Sequence, residues 1–321
     1  TAAKRALDSG AVAEAAHFYD LVVRNESDER RRADAAAQLA TALHMNRDIK
    51  RANPALELAS ARLRAVGMLE RARRMDIRRV EGIVEAGDTP VREVIERLGT
   101  IKQEARDAED WEAVALALDV ELQLLQLGED FDGVRNLEQE FLEVTEAGSR
   151  SAKAIAHLGM AVGILPDDPT MAVQLAREAV RLTDAISVDR RLKALNRLLI
   201  VFYHQGLLHR PENQALISEA QTLAEGSGDL LQRFSFESNM GAAAMDGGEP
   251  DRAEAQFAKA RRLLGSADMT FPRINLACNA GELALERGDF EDAETAFEEA
   301  GTYLGLAIPK YTSDFVNAGL G

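Results

Sequence analysis

One spacing constrains this chain more than any other: five residues recur in the same order, 40 positions apart, near the C-terminus. Gly281, Gly288, Ala293, Phe297 and Ala300 stand in GELALERGDFEDAETAFEEA. Gly241, Gly248, Ala253, Phe257 and Ala260 stand in GAAAMDGGEPDRAEAQFAKA. A fixed period in this range belongs to stacked supersecondary units, each too small to bury its apolar face alone. The pattern predicts a solenoid with a long groove and argues against a compact catalytic domain.

The same period leads from Ala293 to Ala253, Asn213, Ala172, Gly133, Val94, Ala55 and Ala15, at intervals of 39 to 41. Four residues after each anchor come Phe297, Phe257, Ile217, Ala176, Leu137, Leu98, Ala59 and Tyr19. Seven after come Ala300, Ala260, Ala220, Ala179, Glu140, Ile101, Arg62 and Val22. Positions i, i+4 and i+7 share one helical face, and only Glu140 and Arg62 break its apolar or small character. Pro54, Pro90, Pro169, Pro211 and Pro250 precede anchors, where proline suits a first helical turn, and Pro272 opens the helix before the last anchor. Asn53, Thr89 and Asp168 are placed as N-caps, and Glu249 as a charge suited to a helix start. Gly10, Gly87, Gly128, Gly206, Gly248 and Gly288 mark turns, so each unit reads as helix, turn, helix. Runs alternating with period 2 are missing, which excludes a sheet.

The net charge is −16, opposite to the basic footprint of a nucleic-acid binder. Basic partner segments suit it better, and the plain alternative is a solvated acidic surface. The single cysteine, Cys278, forbids an internal disulfide and fits a reducing, cytoplasmic setting. No run of 18 apolar residues or signal peptide is present, so no membrane partner is expected. The chain opens at Thr1 inside helix-like sequence, and Ser313, Asp314 and Phe315 have the cap-and-first-turn pattern of another helix. Both ends therefore read as cut from a longer solenoid. Uncapped ends of this kind permit self-association.

The last two units resemble the tetratricopeptide repeat, most clearly over residues 234–305. The resemblance rests on small Gly281, Ala293 and Ala300 with Phe297, and on Gly241, Ala253 and Ala260 with Phe257. The usual period is about 34 residues, so these units are longer, and the family's tryptophan is replaced by Ala277 and Glu237. Long units of this kind are similar to the regulatory repeats of bacterial signal-transduction ATPases, transcription activators and pheromone receptors. The resemblance implies one all-α, right-handed solenoid of about eight antiparallel helix pairs over residues 1–321.

It also implies a concave groove lined by the first helix of each unit. Asn275, Cys278, Asn279, Glu282 and Glu286 fall there in the last unit, and Ser235, Ser238, Asn239 and Asp246 in the one before. The amides of Asn239 and Asn279 can both donate to and accept from a peptide backbone; the alternative is plain polar groove lining. A clamp for a carboxylate terminus is not expected, because no basic residue accompanies these asparagines. A second constellation, Asn196, Arg197, Phe202, Tyr203 and His204, reads as a ligand pocket or as core packing. A third, the arginine run Arg62, Arg64, Arg71, Arg73, Arg74, Arg78 and Arg79, reads as a dock or as a solvated face. A dock built on Arg71, Arg74, Arg78 and Arg79 would take an acidic partner or another domain of the parent protein.

No phosphate-binding loop, metalloprotease, nucleophile-elbow or CxxC motif occurs, and the five histidines lack metal-ligand spacing. No cofactor, metal or catalytic residue is expected. The reading is a non-catalytic scaffold that binds a protein or peptide through its groove. The alternative is a ligand-sensing regulatory domain whose ATPase or DNA-binding effector lies outside this sequence.

Overall fold

The computed structural model describes residues 2–9, 11–86, 89–127, 130–184, 186–265, 267 and 269–303. Among these the chain is helical throughout, with no strand, and its 16 α-helices form eight antiparallel pairs. The pairs are α1 (Ala2–Asp8) with α2 (Val12–Asn25), α3 (Glu29–Met45) with α4 (Ile49–Ala65), and α5 (Leu69–Ala86) with α6 (Val91–Asp107). Next come α7 (Trp111–Leu127) with α8 (Phe131–Ala147), and α9 (Arg150–Ile164) with α10 (Pro169–Thr183). Then α11 (Val188–His204) pairs with α12 (Gln214–Gly226), α13 (Leu230–Asp246) with α14 (Pro250–Leu264), and α15 (Thr270–Arg287) with α16 (Phe290–Gly301). A short 3-10 turn, Pro211–Asn213, leads into α12. Seven anchors lie in the second helix of their pair and Asn213 in this turn, so the period marks one hairpin per repeat.

Each first helix packs on its own partner and on the second helix before it, which builds an all-α solenoid of two layers. Side-chain caps start several helices: Asp28 accepts from the Arg31 amide at 2.8 Å, Asp130 from Gly133 at 2.8 Å, and Asp168 from Met171 at 2.9 Å. Each such cap is worth about 1 kcal/mol. Pro169 and Pro250 take the first turn as expected. Pro54 does not: α4 begins at buried Ile49, which places Pro54 and Asn53 inside the helix. Burying Ile49 and Ala52 extends the helix by a turn that the proline alone would have cut. Gly206, Gly248 and Gly288 have positive φ of 62°, 70° and 78°, the left-handed conformation their turns need. Gly10, Gly87, Gly128 and the Ser313–Asp314–Phe315 pattern lie outside the described residues.

The recurring glycine and phenylalanine are two halves of one contact. A Cβ on Gly241 would lie 2.4 Å from the Phe257 ring, and one on Gly281 would lie 2.7 Å from Phe297. The ring fills the space the glycine leaves, so α13 and α14 (and α15 and α16) close face to face. In the second unit the volumes are exchanged: Leu43 and Ala59 hold the same two positions and share one buried cluster.

The residues that break the pattern have partners. Glu140 accepts from Lys102 at 3.0 and 3.1 Å, and from Arg106, across to the unit before. Arg62 lies 3.8 Å from Glu29. The polar anchor Asn213 is buried with both ends of its amide used: Arg177 donates to it at 2.7 Å and it donates to the Leu207 carbonyl at 2.8 Å.

At the centre lies α7, apolar on nearly every side and buried on all but the face that carries Glu112, Leu116 and Gln123. Its two deeply buried acids, Asp119 and Glu121, are both ion-paired, Glu121 to Lys102 at 2.6 Å. First helices of distant units also meet. Arg47, after α3, reaches Asp229 before α13 at 3.9 Å, and α5 touches α15. The first helices are therefore the inner layer, and the superhelix is tight enough for units five apart to come into contact.

Candidate functional site

Two sets of charges with matching helical spacing face each other across the lumen. On α7, Glu112 and Asp119 are seven apart; on α11, Arg190, Lys193 and Arg197 are three and four apart, so each set lies along one face. Arg190 pairs with Glu112, Lys193 Nζ lies 2.9 Å from Asp119 Oδ2, and Arg197 Nη2 lies 2.7 Å from Asp119 Oδ1. Burial alone would push the Asp119 carboxyl up, but the charges of Arg197 and Lys193 hold it below its ordinary range. These pairs pass over α9, the first helix of the intervening unit, and form a roof above it.

A second group of charges adjoins the roof. His44 Nε2 on α3 lies 3.3 Å from Glu81 Oε2 on α5. Burial raises the Glu81 carboxyl, and the hydrogen bond and charge of His44, with Lys193 and Arg47, more than reverse this and hold it at about 2. A depressed carboxylate contributes stability that is fully present above its unfolded value and is lost as pH falls through the folded one. Thermal stability is therefore expected to decline as pH drops from about 4.5 to about 2, and Glu81→Gln to remove part of that decline. Equal acid sensitivity in the variant and the wild type, by circular dichroism melting, would refute the assignment.

The arginine run is met by the chain's own acids. Arg71 lies 2.6 Å from Asp34, Arg79 3.1 Å from Glu57, and Arg74 3.8 Å from Glu112 and 4.0 Å from Glu70. Arg64 reaches Asp76 and Glu104, and buried Arg73 lies 2.9 Å from Asp110, which also caps α7. Arg78 differs: its Nη1 donates to Thr41 Oγ1 at 2.7 Å, and among the described residues no carboxylate lies within 4 Å. Burial lowers its pKa.

Asn196 and Arg197 are internal. Asn196 is 3% exposed and donates to the Gln232 carbonyl at 2.9 Å and to its side chain at 3.1 Å, which ties α11 to α13. Phe202 packs in the core under Arg177. The second constellation therefore divides, with Tyr203 alone joining the C-terminal groove residues.

Those residues form a band across α11, α13 and α15. Ser238 Oγ donates to Asn275 Oδ1 at 3.0 Å, and Asn279 Nδ2 donates to the same oxygen at 3.3 Å. Ser235, Asn239, Asn279 and Glu282 are half-buried, and the Asn239 amide nitrogen is shielded with no partner. Burial raises the Glu282 carboxyl and the nearby charges of Glu286 and Asp246 raise it further; burial and Asp246 raise the Tyr203 hydroxyl. Burial and Glu282 push the Cys278 thiol up to about 11, so it is protonated and unreactive at neutral pH.

Sequence reasoning singled out this band and Arg197, but missed Glu112, Asp119, Arg190 and Lys193. Their seven-residue spacing on two helices was the available signal. Among the described residues no cluster of His, Cys, Asp and Glu is arranged for a metal, and no helix is long and apolar enough to cross a membrane. No protein-family model matches this chain, and no curated protein matches its sequence.

Proposed function

We propose that the chain is a non-catalytic binding module of tetratricopeptide type that takes an extended, basic segment of a partner protein along the inner face of its last three units. One observation carries this reading: the contrast between two stretches of the same inner layer. From α3 to α11 the inner carboxylates Glu81, Glu112, Asp119 and Glu121 each lie against a basic side chain. On α13 and α15 the Asn239 amide lacks a partner, and Glu282 is set among the like charges of Asp246 and Glu286. A backbone carbonyl would satisfy the amide, and lysine or arginine side chains would relieve the acids.

Pull-down from native lysate, with wild type beside Asn239→Ala/Asn279→Ala, tests it. The wild type is expected to retain a protein that the variant loses, at unchanged helicity. Retention of the same proteins by both would remove the asparagines from the reading.

A regulatory sensor domain is the second reading. It is favoured by the ionic roof, which joins units far apart in sequence, so that a ligand on either side could alter the curvature of the whole superhelix.

A further inference from the structure

Beneath the ionic roof, between α7, α9 and α11, lies a cavity of about 50 Å3. Its floor is aliphatic, made by Leu116 of α7 with Ala154, Ile155 and Leu158 of α9. Its polar lining includes Arg190, Lys193, Asp119 and Ser151. We propose that this cavity is a receptor site for a short-chain carboxylic acid, with the carboxylate held at Arg190, Lys193 and Ser151 and the alkyl tail on the aliphatic floor.

Three features specify that ligand. The first is spare donor capacity. Arg190 gives one side-chain hydrogen bond, to Glu112, and Lys193 gives one, to Asp119, although a guanidinium carries five N–H donors and an ammonium three. Both side chains are about a third exposed, at 32% and 33%, so these donors remain open to a ligand. Ser151 Oγ is shielded from solvent and has no partner. A carboxylate accepts from all three, and a bidentate guanidinium contact is the geometry it favours.

The second is charge. Arg190, Lys193 and Arg197 share only Glu112 and Asp119 at ion-pair distance. Arg74 also reaches Glu112, and its other acid, Glu70, stands at the outer limit of pairing, 4.0 Å away. Glu81 lies beyond ion-pair distance of these cations, beside His44, and its charge reaches Lys193 only at longer range. One added negative charge offsets the cationic excess at the rim. An amine would worsen it and would find only Asp119, which is already held by two cations.

The third is size and lining. A water needs about 10–15 Å3 of such space, so the cavity admits about four non-hydrogen atoms. That matches acetate or propionate. The four aliphatic residues favour an alkyl tail over inorganic phosphate, which would leave its remaining oxygens against Leu116 and Leu158.

Titration calorimetry of the full chain with sodium propionate, sodium acetate and ethylammonium chloride at matched ionic strength tests the site. Millimolar binding of both carboxylates is expected, with none of the amine. Ala154→Leu fills the floor and is expected to abolish the heat at unchanged helicity. Ser151→Ala, a milder change, is expected to weaken propionate several-fold. The proposal is overturned if wild type gives no heat with either carboxylate or binds ethylammonium equally well, or if both variants fold and bind propionate with wild-type affinity.

Discussion

Asp119→Ala is expected to destabilise the protein by about 3–5 kcal/mol, the range for removing one partner of a buried ion pair. Asp119 is 2% exposed and lies against both Lys193 and Arg197, so its loss strands two cations in the lumen. The internal control is Glu96→Ala, which breaks the exposed Arg92–Glu96 pair and is expected to change stability by less than about 1 kcal/mol. Urea denaturation of the two variants beside wild type reads the difference. Because α7 and α11 belong to units two apart, small-angle scattering of Asp119→Ala should also show a larger radius of gyration. Equal midpoints for the two variants would mean that the roof does not hold the superhelix together.

The exchanged volumes predict a rescue. Gly241→Leu drives a side chain into the Phe257 ring, which stands 2.4 Å from where the Cβ must go. Overpacking of this kind costs about 1–3 kcal/mol or more. Phe257→Ala empties a buried ring site and costs about 3–5 kcal/mol. The double variant recreates the Leu43 and Ala59 arrangement of the second unit and is expected to be more stable than either single variant. Contacting residues are where additivity fails, so the coupling should be large and favourable. Hydrogen exchange over α13 and α14 localises the effect, since each unit depends mainly on its neighbours. A double variant as unstable as the sum of the singles would show that α13 and α14 pack by another register.

The anchors were legible because helix-to-helix packing within a unit is local. Ala253, Phe257 and Ala260 show their shared face from spacing alone, and the structure buries all three. Gly206, Gly248 and Gly288 were legible for the same reason, since a tight turn needs a conformation that few other residues adopt. Asn53 and Pro54 misled because a proline marks a permitted helix start, while the burial of Ile49 on neighbouring helices sets the actual one. Among the site residues, the half-buried band of Ser235, Asn239, Asn279 and Glu282 followed from unit register. The internal roles of Asn196 and Arg197 did not, because their partners lie on other units.

The amino-acid order by itself therefore determined the all-α hairpin unit, its period and the face that most second helices bury, Val22 on α2 being exposed. Those depend on contacts within one unit or between adjacent ones, and local periodicity encodes such contacts directly. The lumen was decided elsewhere. Lys193 meets Asp119 from 74 positions away, and Arg47 reaches Asp229 across five units. Such meetings depend on the small rotation between successive units, added over the whole stack. No local pattern carries that sum, so the ionic roof and the cavity beneath it exist only once the superhelix has closed.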